Sequence, residues 1–113
     1  MKDPLTLRNK EDFSRLHSKG RSVGSRYVVF VNLKNDLSYN RKAFLASKKV
    51  GNSVQRHRAV RLMREAFRQI LNERSVPEGY DFLFIARSTI TDSKCADVKK
   101  SIEAALKRAN LID

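Results

Sequence analysis

The sequence predicts an α/β (α+β) two-layer sandwich: a small mixed sheet of three to four strands with three helices packed on it. Three observations carry this. Residues 26–33 and 80–86 are β-branched and aromatic runs of strand length. The stretch between them holds the clearest helical periodicity in the chain. Finally, the 113 residues are 41% hydrophobic, with no repeat, Gly/Ser-rich linker or low-complexity tail, so residues 1–113 suffice for a single domain around one core.

The first element is a short amphipathic helix from Asn9 to about Ser18. Phe13 and Leu16 lie three apart among charged residues, Asn9 is a capping residue and Gly20 ends the turn. Residues 19–24 leave room for a short extra strand. Arg26 to Leu33 follows as a strand buried on much of both faces, bounded by Gly24-Ser25 and by Lys34-Asn35-Asp36. Ala43 to Ser47 reads as the next strand, and the polar loop before it is short enough for an antiparallel hairpin. Ser53 to Arg74 is a long helix with Ala59, Val60, Leu62, Met63, Ala66, Phe67, Ile70 and Leu71 on one face. Pro77 and Gly79 close it, and the strand Tyr80 to Ala86 completes a crossover unit. Asp92 or Ser93 then caps a last helix carrying Val98, Ile102, Ala105, Leu106 and Ala109. Phe30, Phe44, Phe67, Phe82 and Phe84 are assigned to the core.

Composition narrows the function. No run approaches the eighteen apolar residues that span a bilayer, and Met1-Lys2-Asp3-Pro4 opens no signal-peptide stretch, which predicts a cytoplasmic protein with no membrane partner. Cys95 is the only cysteine, and His17 and His57 lack ligand spacing, so neither a disulfide nor a zinc site is expected. Cys95 reads as an ordinary small residue. The loudest signal is charge: 24 Lys and Arg against 12 Asp and Glu give +12. Arg41, Lys42, Lys48, Lys49, Arg56, Arg58, Arg61, Arg64 and Arg68 face one acid, Glu65, so nine minus one places eight of the twelve surplus charges in a single segment. Such concentration marks a docking surface for a polyanion.

Within that segment, His57, Arg61, Arg64 and Arg68 recur at spacings of four, three and four along one flank of the long helix. A guanidinium fork matches phosphate oxygens and also stacks on bases, so such a ridge can follow a nucleic-acid backbone. Arg56 and Arg58 crowd the helix start, where the dipole already favours anions; an isolated helix would avoid cations there. Intrahelical ion pairing is the bland alternative, and Glu65 alone cannot satisfy so many arginines.

Lys49-Val50-Gly51-Asn52-Ser53-Val54-Gln55-Arg56-His57-Arg58, continuing through Arg61-Leu62-Met63-Arg64-Glu65-Ala66-Phe67-Arg68, resembles the signature of bacterial ribonuclease P proteins. In that family the pattern runs Lys, Gly, an Arg-Asn-Arg box, a Lys-Arg pair, and Arg-Glu followed by Arg. It maps here to Lys49, Gly51, Arg56 to Arg58, Arg61, Arg64, Glu65 and Arg68. Element order, length and the Asn9-Lys10-Glu11-Asp12-Phe13 segment are also similar. Two positions depart: His57 stands where the box has Asn, and Val60 stands where the pair has Lys. The first keeps a hydrogen-bonding side chain, whereas the second removes one cation.

The resemblance implies a left-handed crossover around the long helix, against the usual right-handed rule. It implies an RNA-binding subunit of a tRNA-processing endoribonuclease, with no catalytic residues of its own. Its partners would be the catalytic RNA and precursor tRNA, and it would bind no cofactor itself, the magnesium ions belonging to the RNA active site. Lys49, Asn52, Arg56, His57, Arg58, Arg61, Arg64 and Arg68 are then the candidates for holding the catalytic RNA. The 5′ leader would lie in a cleft on the sheet, with Phe13, His17 and Tyr27 for stacking and Lys42, Lys48 and Arg87 for its basic rim. Phe13 and Tyr27 as plain core residues are the alternative.

Three competing classes fit less well. A protein nuclease needs paired or clustered acid–base groups, and the acids here are scattered singly, with Asp81 alone beside the sheet. A ribosomal-type RNA-binding protein would share charge, size and fold, and only the arginine signature separates it. A DNA-binding helix-turn-helix needs a second short helix before the long one, so DNA is not an expected partner.

Overall fold

The computed structural model describes residue 7 and residues 9–113; Met1 to Pro4, read above for its lack of an apolar run, lies outside them. Helix α1 (Lys10–Lys19) starts at Asn9, whose side chain accepts from the Glu11 amide at 2.9 Å. It stops at Gly20, where a Cβ would stand 2.7 Å from Val31 Cγ1, so the residue after the helix must be glycine for the chain to turn against the sheet. The short extra strand is present as β1 (Arg21–Gly24), followed by β2 (Val28–Lys34), β3 (Arg41–Leu45), α2 (Ser53–Glu73), β4 (Tyr80–Ala86) and α3 (Cys95–Arg108).

The sheet order is β1-β2-β4-β3. The predicted hairpin between β2 and β3 does not form: β4 inserts between them, antiparallel to β2 and parallel to β3, and α2 makes the crossover. The connection from β2 to β3 is tied down at Asn35, which is buried. It donates to Tyr39 O at 3.2 Å and Asp81 Oδ1 at 2.9 Å, and its own Oδ1 accepts from the Leu37 amide. The connection is thereby fastened to β4 and carries the chain past it to the far edge. The apolar Phe82-Leu83-Phe84 run is then buried on both faces, as a central strand should be.

Val28, Phe30, Phe82, Phe84 and Ala86 meet α2 and α3 on one face of the sheet. The other face is not bare: Val31, Ala43 and Leu83 pack with Leu16 of α1 and with Leu7, so α1 adds a partial third layer to the expected two. Two helix ends differ from the sequence reading. Residues Ser88–Asp92 form a 3-10 turn in which Ser93 Oγ donates to Ile90 O, so neither Asp92 nor Ser93 caps α3. Instead Lys94 precedes the helix, and its amide donates to the Asp97 carboxylate at 3.0 Å. Leu71, expected inside, is 44% exposed at the edge of a groove. Phe44 is half-buried. Among the described residues, no helix is long and apolar enough to cross a membrane.

Candidate nucleic-acid interface

The interface is set by the way α2 begins. Asn52 Oδ1 accepts from the Gln55 amide and Gln55 Oε1 accepts from the Asn52 amide, both at 2.9 Å, a reciprocal box that closes the first turn without any acid. Gly51 has φ 145°, and a Cβ there would strike the Gln55 side chain, so the box requires glycine at that position. Lys48 and Lys49 are held exposed in the turn immediately before it. The positive end of α2 therefore carries further positive charge and no internal counter-ion, which favours an external anion.

The four-membered ridge is present, with His57, Arg61, Arg64 and Arg68 all exposed. They are not equivalent. Arg61 makes no hydrogen bond or ion pair among the described residues. The Arg64 guanidinium lies 5.6 Å from the centre of the Phe44 ring. Arg68 pairs with Glu65 through both Nε and a terminal nitrogen, and this pairing, with a hydrogen bond from Gln69, lowers the Glu65 carboxyl to about 2. Arg58 points elsewhere: it donates to Thr91 O at 3.0 Å and Ser93 O at 2.6 Å, fastening α2 to the 3-10 turn. Arg56 stays near the helix start, donating to Ser53 Oγ at 3.3 Å.

Phe13 and Lys42 open onto the same space as Arg64 and Arg68, a groove of about 450 Å³ that crosses the β3 edge between α1 and α2, with Phe44 and Leu71 in its wall. Two sets of residues that the sequence separates thus share one concavity. A second depression runs along the same edge past Phe44, Arg56 and His57. His17 is exposed on α1 and lines neither. Tyr27 and Arg87 are grouped apart from Phe13. Tyr27 precedes β2 and packs toward α3, its amide donating to Ser101 Oγ at 3.1 Å; Arg87 donates from its amide to Tyr27 O and from its guanidinium to Ser25 O.

Sequence reasoning missed what holds α1, and with it Phe13. Asp81, fully buried in β4, accepts from Arg41 Nε and Nη2, both at 2.8 Å, from Asn35 at 2.9 Å and from Arg15 of α1 at 3.2 Å. Arg41 also reaches Asp12 of α1 at 3.1 and 3.2 Å. Burial pushes the Asp81 carboxyl upward, but the hydrogen bonds and charge of Arg41, with Asn35 and Arg15, outweigh it and leave it below the usual carboxylate range. The available signal was an acid inside a buried strand, which requires compensation. Among the described residues, no group of three or more His, Cys, Asp or Glu is arranged to hold a metal.

Comparison with known proteins gives a consistent answer. The family model described as Ribonuclease P matches residues 1–110. The ribonuclease P protein component of Pelotomaculum thermopropionicum is 45% identical over 105 residues, covering 93% of this chain and 92% of that one. That of Alkaliphilus oremlandii is 39% identical over 113 residues, covering 100% and 97%. Among solved structures, the Staphylococcus aureus RNase P protein superposes with a TM-score of 0.84 at 28% identity, over 98% of this chain and 100% of that one. The Thermotoga maritima RNase P protein superposes at 0.79 and 27% identity, over 91% and 96%. With the arginine-bearing α2, the four-stranded mixed sheet and near full-length similarity in agreement, the chain belongs to the ribonuclease P protein family, the protein subunit of a tRNA-processing endoribonuclease.

Proposed function

We propose that residues 1–113 act as one cytoplasmic domain that holds the catalytic RNA of ribonuclease P along α2 and receives the 5′ leader of precursor tRNA in the adjoining groove. Bond cleavage then belongs to the RNA and its magnesium ions, and the protein supplies binding and orientation. The observation that carries this reading is the shared groove: an aromatic side chain, Phe13, opens beside Lys42, Arg64 and Arg68. Aromatic faces accept any base and cations accept any phosphate, so such a groove suits a strand of variable sequence. Lys49, Asn52, Arg56, His57, Arg61 and Arg64 would hold the catalytic RNA, with Arg68 shared between Glu65 and phosphate. Arg58 would act by fixing the helix. Phe13 and Lys42 are the leader residues best placed for the groove, whereas Lys48, exposed in the turn before α2, and His17 would act on a strand leaving it. Val60, beside His57 and Arg61, offers the RNA an apolar contact in place of a cation.

The test is the affinity of the assembled holoenzyme for precursor tRNA with a leader and for mature tRNA. The protein should strengthen the first much more than the second, and Phe13→Ala should erase most of that difference. Equal enhancement of both substrates would refute leader binding while leaving the hold on the catalytic RNA untouched.

A further inference from the structure

The surplus of +12 is not exhausted by α2: with eight charges between residues 41 and 68, four remain elsewhere. Arg26, Arg87, Lys100 and Arg108, against the single acid Asp97, gather three of them around Tyr27, where a pocket of about 420 Å³ opens between α3 and the connection from β1 to β2. We propose that this pocket is a second phosphate-binding site, which grips an RNA strand through Arg26, Lys100 and Arg108 with a base against Tyr27. It takes Tyr27 away from the leader groove and rests on the RNA-holding reading only for the nature of the polyanion.

The connection is built as a rigid platform. Its three successive carbonyls are each taken by a side chain from elsewhere: Gly24 O by Arg108 at 2.7 Å, Ser25 O by Arg87 at 2.8 Å and Arg26 O by Thr89 at 2.6 Å. Below it, the buried Ser25 and Ser101 hydroxyls share a 2.6 Å hydrogen bond, and Ser101 also receives the Tyr27 amide. Arg87 thus braces the connection, and Arg108 is oriented through one nitrogen, with the rest of its donor fork left for a ligand. The Arg26 guanidinium lies 5.4 Å from the Tyr27 ring centre, so cation and ring are already adjacent, as a stacked nucleotide needs.

Charge pairing separates this flank of α3 from the other. Toward α2, Lys99 meets Glu73 and Arg74 meets Glu103, which neutralises that side. Among the described residues, Arg26, Lys100 and Arg108 have no carboxylate partner, and Asp97 is turned to the Lys94 amide. The pocket also lies at the β1 edge of the sheet, whereas the groove lies at the β3 edge. Three strand spacings, about 14 Å, separate those edges, too far for one phosphate contact to serve both.

The test uses the double variant Arg26→Gln/Lys100→Gln, both exposed positions, assembled with ribonuclease P RNA. Two affinities are followed against salt: protein for the ribonuclease P RNA, and holoenzyme for precursor tRNA. The log–log slope should fall by about 1.4–1.8 for one of them, at 0.7–0.9 per lost phosphate contact, and which one responds identifies the strand. Unchanged slopes for both overturn the second site. Arg61→Ala/Arg64→Ala runs in parallel. If only that pair flattens the slope, the second site falls and the α2 reading stands; if only the Arg26/Lys100 pair does, the reverse holds. Tyr27→Leu should lower affinity at unchanged slope, and an unaltered affinity would remove the stacked base from the proposal.

Discussion

On the α2/α3 side of the sheet, Phe84 meets Phe30, Phe44 and Phe67 with ring centres 5.1, 5.2 and 4.7 Å away, and the contact is almost wholly apolar. On the α1 side, Leu16 is the one fully buried residue of a ten-residue helix, and the attachment depends on Asp81, Arg41, Arg15 and Asp12. A helix of that length has little stability by itself. The two faces therefore differ in kind. The first is non-directional and tolerant of small rotations, whereas the second fixes α1 through directed, charge-assisted bonds and so sets where Phe13 stands. Rigidity is placed where a site must be aimed, and bulk apolar packing where only stability is required.

The contrast breaks most severely at its apolar end. Phe84→Ala should cost about 3–5 kcal/mol, a large share of the stability of a domain this size, measured by urea unfolding. Asp81→Ala should cost about 3 kcal/mol, near the lower end for breaking a buried ion pair because Arg41 and Arg15 still reach solvent. Unlike the phenylalanine variant, it should raise hydrogen exchange in α1 ahead of global unfolding. The pH dependence follows from the same carboxylate. Its folded value is depressed, so its stabilisation is fully present above the ordinary 3.8 and is lost as pH falls through the lower folded value. Asp81→Asn should remove that part of the acid-unfolding curve.

Smaller effects sharpen the difference. Asp12→Asn, which takes the charge out of the outer ties to Arg41 and Arg15, should cost less than about 1 kcal/mol yet weaken discrimination between precursor and mature tRNA. If discrimination is unchanged, Phe13 is positioned by Leu16 and not by ions. Last, Glu65→Gln should free Arg68 and steepen the salt dependence of RNA binding by up to about 0.9. The Glu65 carboxyl titrates at about 2, so in the wild-type protein the pairing persists throughout the pH range of such binding experiments.

From the sequence alone came the element types, the amphipathic face of α2, the exposed ridge His57, Arg61, Arg64 and Arg68, and the family resemblance. These are written locally, in periodicity and spacing within one helix or strand. Strand order was not, because β4 pairs with β2 and β3 across long stretches of chain, and contacts such as Asn35 to Asp81, 46 residues apart, leave no local pattern. The hold on α1 was hidden for the same reason: Arg15, Arg41 and Asp81 are unremarkable apart and meaningful only together. Likewise, Phe13 and Tyr27 look alike as candidate stacking aromatics, yet one opens beside α2 and the other beside α3. Local patterns determined that this chain is a basic α/β protein with an arginine-bearing helix. Only the tertiary structure decided which charges stay free for RNA and which are tied into the fold, since an arginine's availability depends on the partners that folding brings to it.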